Sequence, residues 1–155
     1  MAFSATFATA VAPPAVDELC IPVHEGYPSV FWYDYYNNGL ARAGTRNGID
    51  ALIAAHHRNA GGDSQILHVD PGLYIMQRAG LRNDHVQQSG LIYVLNNLGD
   101  KWSGTTVKTN WKNQRFVPVA WDVRDAAVPN ERTTNGEGSS EFPAPPRGYV
   151  AYAPA

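Results

Sequence analysis

The sequence predicts a mainly β chain, an antiparallel sandwich or open barrel, preceded by one helix. Three observations carry this. Beyond Gly62, short β-rich runs recur at roughly 10–15-residue spacing, with turn chemistry between them. A helical period is convincing in one stretch only, ahead of those runs. Eleven Pro and 14 Gly in 155 residues are many for a helical bundle and ordinary for a turn-rich β protein.

The elements follow in order. Residues 1–22 are uncharged at first and then Pro-containing (Ala12-Pro-Pro-Ala15, Ile21-Pro22), which predicts a disordered or loosely docked lead-in. Ser29-Val-Phe-Trp32 is a short strand-like run behind the turn signal Gly26-Tyr-Pro28, and Gly44-Thr-Arg-Asn-Gly48 is a loop. From Ile49 to Arg58, the residues Ile49, Leu52, Ile53 and His56 fall at i, i+3, i+4 and i+7. They form one face of a helix, which Gly61-Gly62 stops.

The β-rich runs are Gln65–Val69, Leu73–Arg78, Gly90–Asn96, Thr105–Thr109, Arg115–Trp121 and Gly148–Tyr152. Turns are expected at Asp70-Pro-Gly72, Arg82-Asn-Asp84, Asn96–Asp100 and Thr133–Ser140. Leu91-Ile-Tyr-Val-Leu95 is continuously apolar, as a central strand buried on both faces should be. Thr105–Thr109 alternates weakly, like an exposed or edge strand. The segment Phe142-Pro-Ala-Pro-Pro146 is expected to cross the fold before a last strand, and no internal repeat is present.

Charge excludes some classes. Twelve basic against 14 acidic residues give a net charge of −2, without the basic face a nucleic-acid binder needs. No apolar run reaches the ~18–20 residues of a membrane span. Cys20 is the single cysteine, so neither an intramolecular disulfide nor a multi-cysteine zinc site can form. The opening residues 1–12 are mildly apolar, yet no basic residue precedes Arg42, so the charged start of a signal peptide is missing. No phosphate loop, dinucleotide fingerprint, Gly-x-Ser-x-Gly elbow or His-Glu-x-x-His motif appears.

Three groups of residues could carry chemistry. His24, Glu25 and Asp34 flank the Trp32 run and could form an acid/base set; the plainer reading places them in a loop and at a turn cap. His68 and Asp70, with His56 and His57, could hold zinc or copper if the helix end folds over the first strand. Adjacent histidines on a helix point about 100° apart, however, and helix-end histidines commonly serve the helix dipole. The third group is aromatic. Six of residues 27–36 are aromatic, among them Trp32, Tyr33 and Tyr36, with Asn37 and Asn38 beside them. Flat rings of this kind stack on sugar faces, and they also fill cores. Phe31 and Trp121 read as core residues. Trp102 and Trp111 lie in polar, turn-like surroundings that suit a surface stacking role.

Taken together, these runs resemble a known family. His24-Glu-Gly-Tyr-Pro-Ser-Val-Phe-Trp-Tyr-Asp-Tyr-Tyr36 is similar to the eighth barrel strand and following loop of bacterial α-amylases of glycoside hydrolase family 13. Asn47-Gly-Ile49 through Leu52-Ile-Ala-Ala-His-His-Arg58 resembles the last barrel helix. Leu73–Arg78, Val94–Trp102, Phe116–Trp121 and Pro145–Tyr152 resemble successive strands of the amylase C-terminal β domain.

The resemblance implies a Greek-key sandwich over residues 63–155, a remnant of the last barrel strand and helix over 23–62, and the lead-in over 1–22. The 155 residues have no room for a complete barrel, which takes about 200–250 residues or more. The segments that carry the family's catalytic carboxylates precede the eighth strand and have no counterpart here. The implied function is therefore that of an α-glucan-associated protein without the family's catalytic machinery.

Two alternatives stand beside it: a small glycoside hydrolase using Glu25, Asp34 and His24 or a metal, and a structural domain stabilising a separate barrel chain. No cofactor is expected except calcium, which some amylases bind near this domain. Here Asp70-Pro-Gly72 leaves Asp70 as its best candidate ligand, against the six to eight oxygens that calcium takes. A strand and helix freed from a barrel would expose apolar surface, so a homo-oligomer is a further expectation. The resemblance points to secretion, although the signal-peptide pattern is lacking.

Overall fold

The computed structural model describes residues 49–83, 87–121 and 128–155. The lead-in 1–22 and the Ser29–Trp32 run lie outside them.

Helix α1 (Ile49–Asn59) carries Asp50 in its first turn and His56, His57 and Arg58 in its last, matching the sign of the helix dipole at each end. Ile49, Leu52 and Ala55 form its buried face. The Ala60 amide bonds the His56 carbonyl at 2.9 Å, and Gly62 then turns the chain at φ 71°, a conformation that costs glycine little. No described helix is long and apolar enough to cross a membrane.

Ten strands follow among the described residues: β1 (Ser64–Val69), β2 (Leu73–Arg78), β3 (Leu81–Arg82), β4 (Gln87–Gln88), β5 (Leu91–Asn96), β6 (Ser103–Lys108), β7 (Arg115–Trp121), β8 (Arg132–Thr133), β9 (Ser139–Ala144) and β10 (Gly148–Pro154). The fold is mainly β, with antiparallel pairing throughout. Six strands form one sheet in the order β1-β2-β5-β10-β7-β8, while β6 pairs with β9 and β3 with β4.

The period of two gives each central strand two buried faces. On one face Met76, Leu91, Tyr93, Ala120, Tyr149 and Ala151 pack under Ile49, Leu52 and Ala55 of α1. Tyr93 and Tyr149 stack there, with ring centres 5.8 Å apart. On the other face Ile75, Ile92, Val94, Phe116, Val150 and Tyr152 pack under Val107 of β6 and Phe142 and Ala144 of β9. The six-stranded sheet is thus the middle layer, between one helix and a two-stranded ribbon. Each fully buried large side chain contributes roughly 1.5–3 kcal/mol of transfer free energy.

β5 explains its unbroken apolar run. It lies between β2 and β10, and its Leu91, Ile92, Tyr93 and Val94 are fully buried. β6 is the weakly alternating strand, and among the described residues it pairs with β9 alone. A bulge in β7 places Ala120 opposite Ala151 and Pro118 opposite Tyr152, leaving Val119 unmatched. The extra residue turns both Val119 and Ala120 to the helix side. Pro118 sits at the same irregularity, beyond the two residues of β7 that β8 pairs, so its missing N–H breaks no ladder there.

One expectation is corrected. The segment Phe142–Pro146, read as a crossing connection, begins inside a strand, because β9 runs from Ser139 to Ala144. Pro143 fits because, among the described residues, β9 has a ladder partner on one side only. Opposite it stands Gly104, where a Cβ would lie 2.6 Å from the Pro143 Cα, so glycine permits this close pairing.

Candidate functional site

Of the residues singled out in the sequence, His24, Glu25, Asp34, Trp32, Tyr33 and Tyr36 lie outside the described residues. His56, His57, His68, Asp70, Trp102, Trp111 and Trp121 lie within them.

His68 and Asp70 are brought together at the β1–β2 turn, with His68 Nε2 2.8 Å from Asp70 Oδ2. The other carboxylate oxygen, Oδ1, accepts the amides of Gly72 at 2.7 Å and Leu73 at 2.8 Å. Asp70 thereby closes its own turn, and both of its oxygens are engaged. His56 and His57 stay on the helix, with their rings edge-on at 5.9 Å. Among the described residues, no three His, Cys, Asp or Glu side chains gather in a metal-binding group.

The Asp70 turn has a testable signature. The His68 hydrogen bond, and after it the Gly72 and Leu73 amides, hold the Asp70 carboxyl below its ordinary 3.8. A lowered folded-state value means that the stabilisation is fully present above 3.8 and is lost as pH falls through the lowered value. Carboxyl NMR titration should place the Asp70 midpoint below 3.8. In His68→Ala the midpoint should rise without reaching 3.8, because the two amide bonds remain. An unmoved midpoint in that variant would refute the assignment.

The tryptophans sit differently. Trp111 is half-buried: its ring meets Phe116 edge-on at 5.5 Å and lies over Gly90, where a Cβ would come within 2.3 Å of it. Trp121 packs against the ribbon-side core. Trp102 is 36% exposed and borders a cleft of about 360 Å³ with Gly104, Val128, Pro129, Asn130, Arg132, Glu141 and Pro143.

Three elements build this cleft. Trp102 immediately precedes β6, and its position is fixed from below by Asn96, the fully buried last residue of β5. Asn96 Nδ2 donates to the Lys101 carbonyl at 2.8 Å and to the Ala144 carbonyl at 3.1 Å, and Asn96 Oδ1 accepts the Leu98 amide at 2.9 Å. In β9, alternation sends Phe142 into the core and Glu141 and Pro143 to the other face, beside Gly104. Arg132 comes from β8, which pairs with the start of β7.

The electrostatics of the cleft floor are mixed. Tyr152 donates from its hydroxyl to the Pro143 carbonyl at 2.9 Å. Burial pushes this phenol up to about 12, against the pull of the neighbouring Arg132 guanidinium, while Glu141 adds to the rise. The phenol therefore stays protonated at neutral pH and keeps its bond. Arg132 Nε is buried and has no hydrogen-bond partner. An exposed ring, a guanidinium and a carboxylate thus border one concave surface, a combination that suits a polar ligand with one flat apolar face.

A second cleft of similar volume lies between α1 and β7, lined by Ala51, Ala54, Ala55, Arg58, Asn59, Val117 and Val119. It offers no aromatic ring and one charged group. Arg132, Asn130 and Glu141 were not among the candidates read from the sequence, since nothing near them along the chain marks a site.

No family profile matches the chain, and no curated protein matches it. Among solved structures, the chain has a likeness to a GH30 endoxylanase from Clostridium papyrosolvens, at 12% identity and a TM-score of 0.43. The match covers 68% of this chain and spans 27% of that protein's length.

Proposed function

We propose that this chain is a non-catalytic, carbohydrate-associated β module related to the C-terminal domain of family 13 α-amylases, with α-glucan as its ligand. The observation that carries this reading is Trp102, an exposed ring on a cleft that also holds charged and amide side chains. The pattern of strands supports the kinship. The four β segments on which the amylase resemblance rests contain or overlap β2, β5, β7 and β10, which are the four adjacent inner strands of one sheet. The finer architecture belongs to the same reading: a Greek-key sandwich over 63–155, with the ribbon of β6 and β9 as its second layer, and 23–62 as a barrel remnant.

Retention of the full chain on insoluble starch tests the function. The wild type should be retained. Trp102→Ala should weaken retention roughly two- to tenfold, the size of one lost aromatic contact. A wild-type chain that passes through unretained would overturn the proposal. Release of reducing sugar that Glu25→Gln or Asp34→Asn abolishes would replace it with an enzymatic one.

A further inference from the structure

We infer that the Trp102 cleft is a subsite for one pyranose ring of a neutral oligosaccharide, held face-on by Trp102 and edge-on between Arg132 and Glu141. The inference rests on the proposed association with glucan and adds the residues and the ligand chemistry.

Two opposed charges line the cleft, Arg132 and Glu141. The Arg132 guanidinium lines the cleft, and its N–H groups donate to a ligand oxygen placed there. Glu141 lines the same cleft, and its carboxylate accepts hydrogen bonds. A sugar hydroxyl both donates and accepts, so two neighbouring hydroxyls on one ring can accept from Arg132 and donate to Glu141. Free phosphate or a uronate would satisfy Arg132 and meet repulsion from Glu141. An amino sugar would have the opposite conflict. The opposed charges therefore select a ligand that is polyhydroxylated and uncharged.

The floor and the size agree with a small ligand. Gly104 lets β6 and β9 approach closely at Pro143, and both residues form part of the cleft wall beside Trp102. The cleft, at about 360 Å³, is near the lower end of the ~300–1,000 Å³ usual for ligand sites, so it accommodates a ring or two and not a long segment. The Tyr152 hydroxyl is committed to the Pro143 carbonyl and braces the wall from beneath.

The test is titration of the full chain with maltotriose, read by calorimetry and by the NMR signal of the Trp102 indole N–H. The expected result is a shift of that signal in the wild type. Arg132→Lys keeps the charge but loses the planar guanidinium fork, and Glu141→Gln removes the carboxylate. Each should weaken binding about tenfold or more. Oligosaccharides of glucuronic acid or glucosamine should bind at least tenfold more weakly than maltotriose.

Maltotriose binding that leaves the Trp102 indole unmoved and is unchanged in both variants would overturn the subsite while sparing the glucan reading. Cellotriose or xylotriose binding at Trp102, with maltotriose silent, would keep the subsite and overturn the α-glucan reading. The indole shift is measured in the wild type, so the test stands even where a variant fails to fold.

Discussion

Phe142→Ala should lower stability by about 3–5 kcal/mol, the usual cost of truncating a fully buried aromatic side chain. Phe142 is fully buried on β9 and packs against two other rings. It meets Phe116 edge-on at 5.4 Å and Tyr152 at 5.4 Å. It is also the largest side chain that the β6–β9 ribbon lays on the sheet. Native domains hold only ~5–15 kcal/mol in reserve, so this single change removes a large share of it. For a domain of this size the melting temperature should fall by roughly 6–20 °C. Urea unfolding followed by circular dichroism checks this, and a loss below about 1 kcal/mol would show that the ribbon is not fastened by that ring.

Asn96→Ala should have a comparable effect through different physics. Its amide satisfies two carbonyls from separate parts of the chain and one amide of its own loop. Each buried partner left unmade costs about 1–3 kcal/mol. The Lys101 carbonyl is one of those partners, so the residue next to it, Trp102, loses its anchor as well. The variant should therefore show a lower melting temperature together with a Trp102 indole signal that no longer responds to maltotriose. Unchanged stability would remove Asn96 from its assigned role, and lost stability with an unchanged Trp102 response would confine that role to the fold.

How much was legible in the sequence depended on the range of the forces involved. α1 and the strands β2, β5 and β7 declared themselves because their period or their apolar run is a local property. β2 and β7 have the very bounds their composition suggests. β9 was hidden because Pro143 reads as a strand breaker unless its neighbours are known; its pairing opposite Gly104, with no second ladder partner among the described residues, makes it tolerable. Trp102 and Trp111 carry the same local signal, a tryptophan amid polar turn residues. Only the three-dimensional packing separates them, by laying Trp111 over Gly90 and against Phe116. Arg132 and Glu141 meet Trp102 through two strand pairings distant in sequence, and no spacing rule anticipates that.

The place of β10 has a consequence for how the chain is made. β10 is the strand nearest the carboxyl end of the described residues, yet it lies between β5 and β7 in the middle of the sheet. During synthesis β5 and β7 leave the ribosome before the strand that must join them. Until residues 148–154 emerge, β5 and β7 each present an open hydrogen-bonding edge lined with apolar side chains, the kind of surface on which nascent chains aggregate. Premature termination a few codons before Gly148 would remove the keystone and leave two half-sheets with nothing between them. A fold whose joining strand sits at a rim would leave no such pair of edges open while it is made.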